Sequence, residues 1–106
     1  AIAVETITQW KTSGRVLFIS SISRAEVLAL SALTQIEIRR VKDFLNNFIS
    51  IPFDDTVAEM AAQIRRLYRL EIPDAAIAAT ALVNDIPLVT RDRQFRKVLS
   101  LIIVSI

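Results

Sequence analysis

The chain has 106 residues, no Cys and no His, one Gly and three Pro, a size that suits one domain with a buried core. The two absences exclude disulfide scaffolds, thiolate and imidazole metal sites, cysteine nucleophiles and Ser-His triads, so hydrolysis here must use carboxylates, hydroxyls, Arg, Lys or an oxygen-held metal. Net charge is +2, with ten Arg among the 13 basic residues, while a hydrophobic fraction of 53% and a mean hydropathy of +0.45 predict a dense core plus an apolar partner surface.

Val4, Ile7, Trp10 and Lys11 fall at helical spacings and predict a helix over Ile2–Thr12, closed by Ser13 and the lone Gly14. Val16–Ser20 is a short β-branched and aromatic run, hence a strand. A second helix is expected to open at Ser23-Arg24-Ala25-Glu26 and reach about Leu33; a third begins at Thr34 or Gln35 and continues to Phe48. Ile49–Ile51, stopped by Pro52, reads as a strand. Asp54 and Asp55 begin a long helix through Leu70, with Arg65, Arg66 and Arg69 near its negative end, as the helix dipole favours. Pro73 and Asp74 start the Ala-rich helix Ala75–Val83; Ile86–Thr90 is a strand, Phe95–Val98 a turn or short helix, and Leu101–Ile106 the last strand.

Short apolar runs alternating with helices predict an α/β fold with a parallel sheet buried on both faces. No run reaches the roughly 20 residues a bilayer span needs, and no secretory leader pattern is evident, so the expected location is the cytoplasm with no membrane partner. Ligands of such sheets gather at the carboxyl ends of the strands. Three acids meet that description: Glu26 after the first strand, Asp74 at the start of the Ala-rich helix, and Asp92 just beyond Thr90. Each also has a structural reading. Ser23-x-x-Glu26 matches a capping box, Asp74 suits an N-cap, and Asp92 suits a cap on the turn that follows. As a group, converging carboxylates resist joint ionisation unless a cation lies among them, and hard oxygen donors suit Mg2+ or Mn2+. The basic cluster Arg91, Arg93, Arg96 and Lys97 is by itself a solvated face. Asp85, in Asn84-Asp85, reads as a turn residue.

The segments ISSISRAEVLAL (Ile19–Leu30) and IPDAAIAATALVNDIPLVTRDRQF (Ile72–Phe95), with IPFDDTVAEMAAQIRRL (Ile51–Leu67) between them, resemble a PIN domain of the VapC type, from roughly Thr6 to the C-terminus. The resemblance implies a single three-layer α/β/α domain over residues 1–106 and an Mg2+- or Mn2+-dependent endoribonuclease acting on RNA. It also implies a cognate antitoxin protein laid over the active-site groove, and a homodimer. Of the family's four acids, the second matches Glu26, the third Asp74 and the fourth Asp92. Ser23 and Thr90 match hydroxyls that position waters or acids, and Arg91 and Arg93 are candidates for phosphate contacts.

The family's first strand, which ends in the first acid, has no counterpart here; Asp43, the first Asp, lies in a helical pattern after Glu26. The chain therefore reads as truncated at its N-terminus, with Ala1 in place of an initiator Met. The expected consequences are unpaired strand edges, at most three carboxylates on the metal, and weak or absent activity as the chain stands. A second reading keeps the fold as a non-catalytic protein-interaction module with the acids serving as caps. A DNA-binding regulator is disfavoured by the modest charge and the lack of a helix-turn-helix turn.

Overall fold

The computed structural model describes residues 2–106, with side-chain surroundings from Glu5 onward. The readings attached to Ala1 and to the Val4 side chain lie outside the described residues. The chain divides into two compact units, Ala1–Pro52 and Phe53–Ile106.

In the first unit α1 (Ile2–Thr12) stops at the only glycine. Gly14 has φ +87°; its N–H donates to Lys11 O at 3.1 Å, and Arg15 N–H donates to Trp10 O at 3.0 Å. Those two bonds satisfy carbonyls the last helical turn leaves open, and only the left-handed conformation permits them. β1 (Phe18–Ser20) follows, then α2 (Ser21–Leu28), α3 (Gln35–Leu45) and β2 (Ile49–Ile51). β1 and β2 pair in parallel, Phe18 with Ile49 and Ser20 with Ile51.

Four boundaries here differ from the sequence expectation: β1 starts at Phe18 rather than Val16, α3 ends at Leu45 rather than Phe48, and both ends of α2 move. α2 begins at Ser21 under an Ser20 cap rather than at Ser23, and it ends at Leu28 rather than Leu33. α2 closes at Ala29, whose N–H donates to Ala25 O, and α3 opens separately at Thr34, which caps it from extended backbone (φ −76°, ψ 167°) and closes a reciprocal box with Glu37.

In the second unit α4 (Asp55–Tyr68) starts under Asp54, whose side chain accepts the Val57 N–H at 3.0 Å. It ends at Arg69 in the left-handed region (φ 58°), and the Arg65 guanidinium donates to Leu70 O at 2.7 Å across the corner. α5 (Ile72–Val83) returns against α4. Val57, Ala61 and Ile64 from α4 meet a face of α5 made of Ala75, Ala76, Ala78, Ala79 and Ala81, all buried. Small side chains let the two helix backbones approach closely. Asp85 (φ 53°) ends α5 by the same device as Gly14, with Asp85 N–H on Leu82 O and Ile86 N–H on Ala81 O.

β3 (Leu88–Thr90) then leads through a 3₁₀ turn (Arg93–Lys97) to β4 (Ile103–Ser105), which pairs with β3 in parallel. Phe95, 4% exposed, anchors the turn. The parallel pairing agrees with the sequence reading, whereas each strand is only three residues long. Pro52 stops β2, and Pro87, which has no N–H to donate, delays β3 until Leu88. The strands are also less buried than expected: Phe18, Ile49, Val89 and Val104 are exposed, because each sheet has two strands only. Among the described residues no helix is long and apolar enough to cross a membrane.

Candidate functional site

In the second unit, the carboxyl end of β3 and the first turn of α5 bring two acids into each other's field. Thr90 ends β3, and its Oγ1 accepts the Asp92 backbone N–H at 3.1 Å. Asp92 in turn caps the 3₁₀ turn, its Oδ1 accepting the Gln94 N–H at 2.9 Å. Thr90 and Asp92 are thus linked hydrogen-bonded turns that fix where the Asp92 carboxylate stands. The cap expected of Asp92 is present.

Asp74 is different. It is not the α5 cap; Glu71 occupies that position, with Pro73 inside the first turn, and no side-chain cap bond forms. Proline supplies the helical φ and lacks the N–H that a cap would satisfy, which moves the helix start three residues earlier than Asp74. Asp74 is half-buried over Ala75 and Ala76, and its carboxyl is held above the usual range, first by desolvation, then by the charge of Asp92, then by that of Glu71. Glu71, missed by the sequence reading, also lies 3.7 Å from the Arg65 guanidinium in a mostly exposed ion pair, an arrangement worth little in stability.

Arg91 is exposed in the bend after β3, and Arg93 is exposed at the first position of the 3₁₀ turn, so both flank Asp92 along the chain. Among the described residues, no group of three or more acids is gathered closely enough to hold a metal ion.

Ser23 and Glu26 belong to the first unit. Ser23 lies inside α2, so Ser23-x-x-Glu26 is not the capping box the pattern suggested; the cap is Ser20, whose Oγ accepts the Ser23 N–H at 3.0 Å. Glu26 is left on an exposed helix face one turn after Ser23, without the capping duty that the structural reading gave it. The Arg24 side chain donates to Asn46 Oδ1 at 3.2 Å, bridging α2 to the end of α3.

The PIN-domain family profile matches residues 2–99. The chain belongs to the PIN-domain family. Solved structures agree with that assignment. A toxin–antitoxin complex from Klebsiella pneumoniae is similar at 31% identity and a TM-score of 0.71, over 82% of this chain and 71% of that one. FitAcB from Neisseria gonorrhoeae is similar at 26% identity and a TM-score of 0.72, over 93% and 83%. VapBC2 from Rickettsia felis, bound to a DNA fragment from its promoter, shares the PIN fold at 20% identity with a TM-score of 0.82, over 97% and 84%. No curated protein matches the chain.

The donor chemistry of this PIN domain suits a small hard cation. Mg2+ commonly takes only one or two carboxylates and completes its shell with water and substrate phosphate. Asp74 and Asp92 are carboxylates of that hard-donor type, and the charge of Asp92 is one cause of the raised Asp74 carboxyl, after burial.

Proposed function

We propose that this PIN domain is the nuclease of a VapC-type toxin from a bacterial toxin–antitoxin pair and hydrolyses RNA phosphodiesters with Mg2+ or Mn2+. One observation carries the proposal: burial first, and then the charge of Asp92 on a different element of the same unit, raise the Asp74 carboxyl. A half-buried carboxylate facing a second acid, beside the carboxyl end of a parallel strand, is a costly arrangement unless a cation joins the two.

In this reading Asp74 and Asp92 hold the ion, and Glu26 is the residue that matches the family's second acid. When bound, the ion supplies an activated water and neutralises charge developing on the phosphate. Thr90 fixes the Asp92 carboxylate through the turn hydrogen bonds. Arg91 and Arg93 hold the RNA backbone, the guanidinium fork matching phosphate oxygens. Ser23 positions a water or the Glu26 carboxylate. The similar structures, a toxin–antitoxin complex among them, support an antitoxin as the protein partner; a homodimer and a cytoplasmic location complete the proposal.

The test is cleavage of a defined RNA by the purified full-length protein, with and without chelator. Cleavage is expected to require Mg2+ or Mn2+ and to fall at least about a hundredfold in Asp74→Asn. Cleavage indifferent to chelator or to Asp74→Asn contradicts the proposal. Absence of both cleavage and metal binding favours the non-catalytic interaction module.

A further inference from the structure

Packing fixes α5 from Ala75 onward and leaves its first turn to other means. Ala75, Ala76, Ala78 and Ala79 are fully buried, whereas Glu71, Ile72 and Pro73 are exposed and Asp74 is half-buried. Glu71, at the cap position, makes no side-chain cap bond. A helix end with neither cap nor packing frays, yet this end carries Asp74. Arg65, in the last turn of α4, supplies the missing restraint. Its carbonyl accepts the Arg69 N–H at 2.9 Å, and its guanidinium donates to Leu70 O at 2.7 Å, so one residue holds both sides of the corner. The corner needs holding, because Arg69 sits at φ 58°, a conformation that a residue with a Cβ adopts at a cost. The Leu70 side chain is fully buried, which joins the clamped carbonyl to the core. Glu71 follows directly, and Asp74 lies three residues further on.

We propose that Arg65 is a positioning residue: by clamping the α4–α5 corner at Leu70 O it fixes the first turn of α5 and, with it, the Asp74 carboxylate. The inference rests on the assignment of Asp74 to the metal site, and it adds a residue which that assignment does not contain. Arg65 touches neither metal nor substrate; it acts through the corner. Its charge and its clamp pull in opposite directions. A guanidinium 3.7 Å from Glu71 opposes a divalent ion nearby, whereas a carboxylate held in place favours one. The sign of the effect on metal binding therefore separates the two.

The experiment measures amide hydrogen exchange without metal, and Mn2+ dissociation constants by calorimetry, on the full chain and its variants. Arg65→Met removes both clamp and charge. It is expected to speed exchange of the Ala75 amide, which donates to Glu71 O in the first turn of α5, at least about threefold, with Ala78–Leu82 unchanged. Mn2+ binding is expected to weaken about three- to tenfold, the worth of one hydrogen bond. Arg65→Lys keeps a cation and a donor and is expected to stay within about twofold of the parent in both readings. Glu71→Gln removes the ion pair and keeps the clamp, so Ala75 is expected to exchange as in the parent. Arg66→Met, at the neighbouring exposed arginine, is expected neither to speed Ala75 exchange nor to weaken Mn2+ binding. Mn2+ binding in Arg65→Met as tight as in the parent or tighter, unchanged Ala75 exchange there, or equal acceleration along the whole of α5 overturns the proposal. So does failure of Arg65→Lys to recover, or Ala75 exchange in Glu71→Gln or Arg66→Met as fast as in Arg65→Met. Asp74→Asn separates the two levels. If the parent binds no Mn2+, or Asp74→Asn binds it unchanged, the site assignment is wrong and Arg65 falls with it; if Asp74→Asn loses Mn2+ while Arg65→Met does not, only the Arg65 proposal fails.

Discussion

Residues 53–106 bury a continuous set of side chains: Val57, Ala61 and Ile64 on α4, the alanine face of α5, then Leu70, Phe95, Val98 and Leu101. Residues 1–52 bury, among their described side chains, only Leu45 and Ser20. Both units display large apolar residues; Leu67, Leu99 and Ile102 in the second are more than half exposed. In the first, Val16, Leu30, Ile36 and Ile49 are all more than half exposed, α2 has no buried residue, and a hollow of about 140 Å3 opens among Ile7, Leu17, Phe44 and Phe48. The difference shows that hydropathy and burial are separate properties. What makes the second unit's core is small residues at helical spacing, which let two helices close on each other, rather than a larger supply of bulky ones. Asp74 is therefore mounted on a tightly packed helix, and Asp92 stands just before the turn that buried Phe95 anchors.

The largest effect expected from this contrast is in the second core. Leu70→Ala, at a side chain with 0% exposure, is expected to cost about 2–5 kcal/mol in denaturant unfolding. Ile36→Ala, at 67% exposure in the first unit, is expected to stay within about 0.5 kcal/mol. Equal losses would break the comparison. Hydrogen exchange sharpens it further: α5 amides are expected to exchange at least about tenfold more slowly than those of α2. Comparable protection would show that the sparse burial of the first unit does not govern its opening.

Much of this was legible beforehand. The start of α1, the caps at Thr34 and Asp54, the glycine stop and the parallel pairing all follow from local rules that nothing distant competes with. The errors arose where two local rules competed. Ser23-x-x-Glu26 matched the capping pattern, yet the strand VLFIS ends at Ser20, and a cap belongs directly between strand and helix. Asp74 resembled a cap behind a proline, but proline is favoured inside the first turn, which makes Glu71 the cap. The strands were overlong because an apolar run sets no limit on its partner, and Pro52 and Pro87 do. For the site, the turn of Thr90 and Asp92 was readable from spacing. The effect of burial and of Asp92 on Asp74 depends on separated segments meeting, which only the fold supplies.

Smaller effects probe the charge. Because the folded state holds Asp74 above the ordinary carboxyl value, it binds more protons than the unfolded state between those two values. Stability therefore falls as pH rises through that window and is greatest below it. Asp74→Asn is expected to remove this slope and to raise metal-free stability at neutral pH by less than about 1 kcal/mol, read from denaturant midpoints across pH. An unchanged slope would mean that neither burial nor the charges of Asp92 and Glu71 raise the Asp74 carboxyl. Smallest of all, Asp85→Gly is expected to gain about 0.5–1 kcal/mol, since glycine adopts φ 53° without a Cβ penalty. A loss there would show that the aspartate side chain itself supports the turn after α5.

The central claim is that Asp74 and Asp92 are held together for a divalent ion. Its most direct test is the melting temperature of the full-length protein in rising Mn2+, beside Asp74→Asn, Asp92→Asn and, as a control at an acid outside the pair, Asp85→Asn. The account predicts stabilisation of about 2.7 kcal/mol at a hundredfold excess over the dissociation constant, retained in Asp85→Asn and lost in both site variants. A parent protein that does not respond to Mn2+, or site variants that respond as the parent does, would contradict it.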